Sequence, residues 1–388
     1  MHYRRNKILC IIIVTILFLS CNYKTIIAQT QPDIKSPSAL LIDAGTGAIL
    51  YEKNPHEKLE PASITKIMTL ILAFEAINSG KVELTDVIRV SERASQTGGS
   101  QAFLGLGEEQ TLETLLKCII IASANDASMA VAEHIGGSVE GFVKLMNEKA
   151  KELGMKNTNF TNPHGLSSPN HYTTAYDIGL MSRELVKYPA FFKWSTIWMD
   201  YLEHTDKQRD ATMLANTNKL LGKYEGLDGL KTGFHSKAGH CFAGTAKQGN
   251  FRLISVILNS ENSDQRFKET VELLNYGFGH YSSVQVAQKG MVQKTVAVEK
   301  GHINEVNLIV PEDVNLLVEK GKENNISTEL EVPDILFAPL KKDDTVGNLI
   351  VKQNGEIVKK VDIVVSEDIL KASLFEMFKK VFIKWFKL

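Results

Sequence analysis

The sequence has 388 residues, of which 44% are hydrophobic and 23% charged, and its formal net charge is −1. This is ordinary globular composition with enough chain for two or three domains, and near-neutrality gives no reason to expect a nucleic-acid partner. Of the four cysteines, Cys118 and Cys241 lie in the body of the chain, outside any CxxC motif or Cys/His cluster. A structural zinc site is therefore not expected; we interpret both as buried thiols, with a disulfide between them as the alternative.

The N-terminus has the pattern of an export signal. Residues 2–7 are mostly basic or polar, and residues 8–20 form an apolar run too short to span a membrane comfortably. We predict a secretory signal peptide over residues 1–28, with cleavage after Ala28. Residues 18–21 are similar to a lipoprotein signal, so lipidation of Cys21 is one alternative and an uncleaved anchor is another. All three alternatives predict that the body of the chain lies outside the cytoplasm.

A serine and a lysine lie three residues apart early in the body of the chain. After residues 38–51, which predict a strand, a turn and a second strand, Ser63 and Lys66 stand at the start of an apolar helical pattern. Residues three apart share one face of a helix. A serine hydroxyl needs an adjacent base to become a nucleophile, and a lysine is that base where burial or a second cation keeps its amine neutral. Ser63 and Lys66 are therefore candidate catalytic residues.

The helical pattern of residues 112–135 has a polar break at residues 122–126, which prefer turns and caps. Such a local inconsistency is expected at functional sites, and it makes Ser123 and Asn125 candidates. Further helices are predicted at residues 139–153 and 175–186.

Residues 227–259 predict three adjacent antiparallel strands, the first of which contains Lys231, Thr232 and Gly233. Residues 267–278 then predict a helix that closes this domain. The order of strands, many helices, strands and one helix indicates an α+β fold, with helices packed against an antiparallel sheet.

The C-terminal part changes character. Short β runs separated by Gly, Asn, Asp and Lys predict a small all-β module over residues 283–370, in which we find no chemistry. Residues 371–388 place apolar side chains on one arc of a helical wheel and mostly lysines on the other. This is typical of a helix that lies in a membrane interface, and a helix packed on its own protein is the alternative.

Three short motifs occur in one order: Ser-x-x-Lys at Ser63, Ser-x-Asn at Ser123 and Lys-Thr-Gly at Lys231. Motifs of this kind mark penicillin-binding proteins and class A β-lactamases. From Ser38 onward the chain resembles the low-molecular-weight penicillin-binding proteins that are D-alanyl-D-alanine carboxypeptidases, including the Asn-Pro-His-Gly-Leu segment at residues 162–166. The resemblance implies a penicillin-binding-protein/β-lactamase-like catalytic domain over residues 29–282, followed by the all-β domain and an amphipathic membrane-anchor helix.

The resemblance also implies roles for the catalytic residues. Ser63 attacks the carbonyl between the last two D-alanines of a peptidoglycan stem pentapeptide, and Lys66 takes its proton. The cation of Lys231 helps to keep Lys66 neutral, because like charges lower the pKa of a lysine. Ser123 relays a proton toward the leaving amine. No metal and no cofactor is expected.

The implied substrate-binding residues are Asn125, Lys231, Thr232, Gly233, Phe234 and Arg266. Asn125 binds the substrate backbone, and the two cations and Thr232 face the terminal carboxylate. Gly233 leaves the edge strand bare, and the N–H groups of Ser63 and Phe234 form the oxyanion hole.

This sequence departs from many relatives at Ala124, where they have Gly, and at Phe234, where several have His. The resemblance implies inhibition by penicillin and attachment to the outer face of the cytoplasmic membrane through the C-terminal helix. Two rival functions remain: a serine β-lactamase and an inactive cell-wall-binding protein. Against the first, the Glu-x-x-Leu-Asn signal of class A enzymes is absent after Asn125. Against the second, all three motifs are intact.

Overall fold

The computed structural model describes residues 31–386, so the predicted signal peptide and lipidation site lie outside the described residues. The catalytic region is built on a five-stranded antiparallel sheet with the strand order β2-β1-β9-β8-β7. Two small strand pairs, β3–β4 and β5–β6, lie outside this sheet. The strands are β1 (Ser38–Asp43), β2 (Ile49–Lys53), β3 (Val87–Arg89), β4 (Glu109–Thr111), β5 (Met199–Leu202), β6 (Thr212–Ala215), β7 (Leu227–His235), β8 (Gly239–Gln248) and β9 (Phe251–Ser260).

The helices of this region pack against the sheet and against one another, which confirms the α+β prediction. They are α1 (Lys66–Asn78), α2 (Glu92–Ser95), α3 (Leu112–Ile121), α4 (Asn125–Gly136), α5 (Val139–Glu152), α6 (Ala175–Leu185), α7 (Pro189–Ser195) and α8 (Ser263–His280). Helix α1 is apolar and buried almost all round, because it packs against α4, α5, α6 and β7. The first residues of α1 are therefore held at the centre of the domain.

Two local features differ from the sequence-based expectation. Ser63 lies in a 3-10 turn, Ala62–Thr65, and α1 begins only at Lys66. The closing helix α8 begins four residues earlier than predicted, because the Asn262 side chain accepts a hydrogen bond from the N–H of Gln265 and caps it. The predicted break between two helices is present, since α3 ends at Ile121 and α4 begins after Ala124.

The C-terminal region is an all-β domain with its own apolar core, as predicted. Its main sheet has the order β14-β16-β17-β12-β11-β15, and β10 pairs with β13. The β11–β15 pair is parallel, which the sequence did not indicate. The strands are β10 (Tyr281–Ala287), β11 (Val292–Glu299), β12 (Glu305–Ile309), β13 (Val314–Glu319), β14 (Ile326–Glu331), β15 (Ile335–Phe337), β16 (Thr345–Gln353) and β17 (Glu356–Val365).

A last helix, α9 (Leu374–Phe386), follows this domain. Ser373 and Glu376 cap its start reciprocally, since each accepts a hydrogen bond from the backbone N–H of the other. The Lys380 ammonium donates to the carbonyl oxygens of Gly301 and Ile303, which fastens the helix to the β domain. In the part of the chain that the structure describes, we find no helix with the length and apolar character needed to cross a membrane.

Candidate active site

The 3-10 turn before α1 brings the candidate nucleophile and base together. In a 3-10 helix the side chains at positions i and i+3 eclipse one another. The Lys66 amine accordingly lies 3.0 Å from the Ser63 hydroxyl oxygen. The turn begins at Ala62, whose φ of +48° is an unusual backbone conformation for a residue with a side chain. The predicted pair is therefore formed, through a tighter turn than the expected α-helix.

Lys66 is completely buried, with 0% of its surface exposed. Besides Ser63, its amine contacts Asn125 Oδ1 at 2.6 Å and the carbonyl oxygen of His164 at 2.8 Å. Burial, followed by the charge of Lys231, places the pKa of Lys66 well below the usual lysine range, and Asp126 opposes the shift in part. The site therefore favours a neutral amine at this position.

The three partners of Lys66 define where a neutral amine would point its lone pair. Asn125 presents its oxygen rather than its nitrogen, because its Nδ2 donates to the Gly98 carbonyl oxygen at 2.7 Å. That oxygen and the His164 carbonyl are acceptors only, whereas the Ser63 hydroxyl can also donate. A neutral amine has two hydrogens and one lone pair, so its hydrogens satisfy the two acceptors. The lone pair then faces the Ser63 O–H.

The break between α3 and α4 positions the second motif. Ser123 is buried and has φ +61°, so the chain reverses sharply there before Asn125 begins α4. The N–H of Asn125 donates to the Ser100 carbonyl at 2.7 Å. The turn thus delivers the Asn125 amide to Lys66 and ties it to the loop of residues 98–104.

Asp126, the second residue of α4, orders that same loop. Its carboxylate accepts hydrogen bonds at 2.9 to 3.1 Å from the N–H groups of Ala102, Leu104 and Ala127. Asp126 is fully buried, and a buried carboxylate is tolerated only when such donors satisfy it. Its function in the structure is to shape the loop that Asn125 contacts.

Strand β7 forms the opposite wall of the site and is an edge of the main sheet. A Cβ atom on Gly233 would lie 2.8 Å from the Pro61 carbonyl oxygen and 3.2 Å from the Ser63 nitrogen. Only glycine therefore lets the strand pass so close to the Ser63 turn. The neighbouring Lys231 and Thr232 are buried, and the Thr232 hydroxyl donates to the Thr217 hydroxyl at 2.7 Å.

Arg266 lies beside this strand and is 7% exposed, so its guanidinium is largely removed from solvent. Its Nη1 donates to the carbonyl oxygens of Gly233 and Cys241, at 2.9 and 3.1 Å. Burial, together with the charge of Arg266, lowers the pKa of Lys231 to about 7. Arg266 thus braces β7 against β8 and also acts on Lys231 through its charge.

Phe234 differs from the other predicted residues in being 60% exposed. Its ring stacks on that of His240, with the centroids 4.3 Å apart. The side chain lines the open end of the strand, while its backbone follows Gly233 past the Ser63 turn.

The loop of residues 162–166 contributes contacts that the sequence analysis did not assign. Its His164 carbonyl holds the Lys66 amine, and its Pro163 carbonyl accepts a hydrogen bond from Thr69 Oγ1 at 2.6 Å. A Cβ atom on Gly165 would lie 1.8 Å from the Ala62 carbonyl oxygen. The concentration of Asn, Pro and Gly in this segment was the only sequence signal for such a turn.

His171 is buried against the Ser63 turn. Its Nδ1 accepts the N–H of Thr161 at 3.0 Å, so the ring hydrogen is on Nε2, which lies 2.8 Å from Thr65 Oγ1. Burial lowers the pKa of His171 to about 4. The ring is a neutral structural support for the turn.

Within residues 31–386 we find no group of three or more His, Cys, Asp and Glu side chains that could hold a metal ion. Cys118 and Cys241 are free, buried thiols. Burial raises the pKa of Cys241 to about 11, so this thiol is not a reactive thiolate.

Two family descriptions match the chain over adjoining segments. Residues 25–262 match the family described as D-alanyl-D-alanine carboxypeptidase, and residues 281–371 match the C-terminal domain of penicillin-binding protein 5. The second match covers the all-β domain, so both regions of the structure have counterparts in known families.

Characterised relatives match over nearly their whole length. The chain is 41% identical over 355 residues to the D-alanyl-D-alanine carboxypeptidase DacF of Bacillus subtilis, covering 91% of this chain and 90% of the relative. It is 33% identical over 354 residues to the D-alanyl-D-alanine carboxypeptidase DacC of Escherichia coli, covering 89% and 86%.

Solved structures agree with these matches. Penicillin-binding protein 5 of Haemophilus influenzae has a TM-score of 0.71 and 32% identity, covering 88% of this chain and 99% of that one. Penicillin-binding protein D2 of Listeria monocytogenes, solved in an ampicillin-bound form, has a TM-score of 0.57 and 30% identity, covering 64% and 100%. The chain therefore belongs to the D-alanyl-D-alanine carboxypeptidase family of serine peptidases.

Proposed function

We propose that this chain removes the terminal D-alanine from peptidoglycan stem peptides that end in D-Ala-D-Ala, through an ester on Ser63. The observation that supports this best is the set of three contacts around the buried Lys66 amine. Two of them are permanent acceptors, so a neutral amine directs its lone pair to the hydroxyl of Ser63. This is the arrangement that a general base for a serine nucleophile requires.

In the acylation step, Ser63 Oγ forms a bond to the carbonyl carbon between the two D-alanines, and its proton passes to Lys66. The N–H groups of Ser63 and Phe234 would stabilise the oxyanion, an effect worth about 3 to 4 kcal/mol per donor in comparable enzymes. The C–N bond then breaks, and Ser123 relays a proton to the departing amine. Water attacks the ester in the reverse sense, and Lys66 serves again as base, which frees Ser63.

Strand β7 would hold the substrate. It is an edge strand, and Gly233 leaves it without a side chain where it passes the Ser63 turn. The terminal carboxylate would meet Lys231 and Thr232, which lie near the middle of the strand. The Arg266 guanidinium already donates to two backbone carbonyls, so we propose that it favours the carboxylate through charge and by bracing the strand.

The test uses fluorescent penicillin and a peptide ending in D-Ala-D-Ala with the intact protein. We expect slow turnover of a covalent penicillin adduct, its mass located on Ser63, and release of D-alanine from the peptide. The Ser63→Ala variant should lose both. Rapid hydrolysis of the penicillin without D-alanine release would instead identify a β-lactamase. No labelling of the folded protein would identify an inactive wall-binding protein.

We further propose that the chain is exported and held at the outer face of the cytoplasmic membrane by α9. Leu374, Phe375, Phe378, Val381 and Trp385 on this helix are between 64% and 84% exposed. Apolar side chains that are left in solvent, accompanied by lysines, support an interfacial helix. Export is supported by the sequence pattern of residues 1–28.

Deletion of residues 371–388 should release the protein from vesicles containing anionic lipid and from the membrane fraction of cells. A second variant, Trp385→Lys with Phe378→Lys, keeps the helix length but replaces two exposed apolar side chains with charges, and it should be released as the deletion variant is. The proposal of membrane attachment is wrong if both variants sediment with membranes as the intact chain does.

A further inference from the structure

A cavity of about 430 Å³ lies beside the Ser63 turn and has no part in the chemistry above. Its walls are Lys58, Glu60, residues 167–172 and Lys237. Glu60 is three residues before Ser63, and the Nε2 of His171 lies 2.8 Å from Thr65 Oγ1. The cavity therefore shares a wall with the turn that holds the nucleophile, and its volume is ample for an amino-acid side chain.

The cavity has two ammonium groups available. Lys58 lies 4.6 Å from the centroid of the Tyr172 ring, and Lys58 and Lys237 are both exposed. Among residues 31–386, neither ammonium has a carboxylate within 4.0 Å. Two loop serines in the wall, Ser167 and Ser168, add hydroxyl groups that can donate hydrogen bonds to an anion.

The one carboxylate in the wall of the cavity is that of Glu60. Glu60 Oε2 is buried and lies 3.4 Å from His235 Nε2, an electrostatic contact without hydrogen-bond geometry. Burial lowers the pKa of His235, so this imidazole is neutral at pH 7 and does not cancel the Glu60 charge. Two lysines against one glutamate leave the cavity with a net charge of about +1 at this pH.

The position of the cavity along β7 indicates which part of a peptide could reach it. Under the proposed function, the terminal carboxylate lies near Lys231 and Thr232, and the scissile carbonyl lies near Gly233. The strand ends at His235, and Lys237 stands in the turn that follows. A peptide extended along the edge advances about 3.3 Å per residue, so the residue before the two D-alanines reaches the end of the strand.

We propose that this cavity binds a carboxylate on the side chain of the residue that precedes the two D-alanines, with Lys58 and Lys237 as its counter-charges. The inference rests on the proposed function, because that function fixes the direction in which the peptide lies. It adds a selection on the acyl side of the scissile bond, where the three motifs have no side chain with a free positive charge.

The experiment compares two substrates of one shape. N-acetyl-2-aminopimelyl-D-Ala-D-Ala has a side chain ending in a carboxylate, and its side-chain amide is the neutral match. We expect the intact protein to prefer the carboxylate by about five- to tenfold in kcat/KM, the effect of two partly exposed ion pairs. The preference should fall as salt is raised from 20 mM to about 500 mM, because exposed charges are screened.

The double variant Lys58→Met/Lys237→Met should bring the ratio of the two kcat/KM values to about one. The control Lys144→Met/Lys223→Met removes the same charge from exposed positions elsewhere on the catalytic domain and should keep the wild-type ratio. Equal hydrolysis of both peptides by the intact protein would overturn this inference and leave the proposed function standing. Hydrolysis of neither peptide would instead contradict the proposed function.

Discussion

The catalytic region and the C-terminal β domain differ in what they bury. The first encloses charged groups such as Lys66, Asp126, Lys231 and Arg266, whereas the residues described as buried in the β domain are apolar side chains and a glycine. Burying a charge is costly unless hydrogen bonds or partner charges compensate it. The buried ions therefore mark the region in which the fold gives up stability to hold catalytic groups. The β domain has no such groups to hold, and its core is apolar.

The strongest test of this contrast replaces the central buried lysine. Lys66→Met keeps the volume of the side chain and removes the base, so acylation by fluorescent penicillin should slow by about 10³-fold or more. The melting temperature should change little, because the gain from no longer burying an amine is offset by the loss of its hydrogen bonds to Asn125 and His164. Stopped-flow acylation and circular dichroism on the same sample measure both quantities. A variant that acylates at a rate near wild type would refute the assignment of the base.

Truncating a core side chain in the β domain should have the opposite effect: it should lower stability and leave the acylation rate nearly unchanged. Leu308 is completely buried in the apolar core, so Leu308→Ala should lower the free energy of unfolding of that domain by about 2 to 5 kcal/mol. Denaturant titration monitored by circular dichroism measures the loss. The acylation rate in the folded protein should stay within a factor of about two of wild type. A tenfold slower rate would show that the two regions are coupled.

Two glycines give a matched pair of close approaches. A Cβ on Gly233 would lie 2.8 Å from Pro61 O, and a Cβ on Gly347, in the β domain, would lie 2.2 Å from Glu331 O. Gly233→Ala pushes β7 from the Ser63 turn and should slow acylation by about ten- to a hundredfold. Gly347→Ala should lower stability and spare the acylation rate. Equal acylation rates for the two variants would contradict the proposed role of Gly233.

The smallest expected effect is a displacement of the pH profile. If Lys231 must be charged to bind the carboxylate, kcat/KM falls as pH rises through its pKa, which burial and Arg266 hold at about 7. Arg266→Met removes the positive charge that lowers this pKa, so the pKa rises and the alkaline fall moves to higher pH. Arg266→Lys retains the charge and should move it less. A profile that is unchanged in Arg266→Met would exclude Lys231 as the titrating group.

The sequence predicted the parts of the site that lie in short motifs. Ser63 with Lys66, the break around Ser123, and the strand with Gly233 each have a local signature in residue type and spacing. The α+β architecture and the all-β module followed from periodicity and turn residues in the same way.

The remaining contacts depend on residues that are distant in the chain. The His164 carbonyl meets Lys66 across 98 positions, and Arg266 reaches Gly233 across 33. Asp126 illustrates the ambiguity: a helix-start aspartate is usually a cap, and only the packing shows that it binds the N–H groups of Ala102 and Leu104. Likewise the parallel β11–β15 pair has no local signature.

The contact between Gly165 and Ala62 limits which segments can be exchanged between this chain and a homologue. Their backbones interlock so closely that the Gly165 Cβ position falls 1.8 Å from the Ala62 carbonyl oxygen. A segment from a homologue can replace this loop only if it also has glycine at position 165, because any side chain there would collide with the Ala62 carbonyl. A chimaera that retains this glycine should fold, whereas one that brings in a larger residue should lose the Ser63 turn.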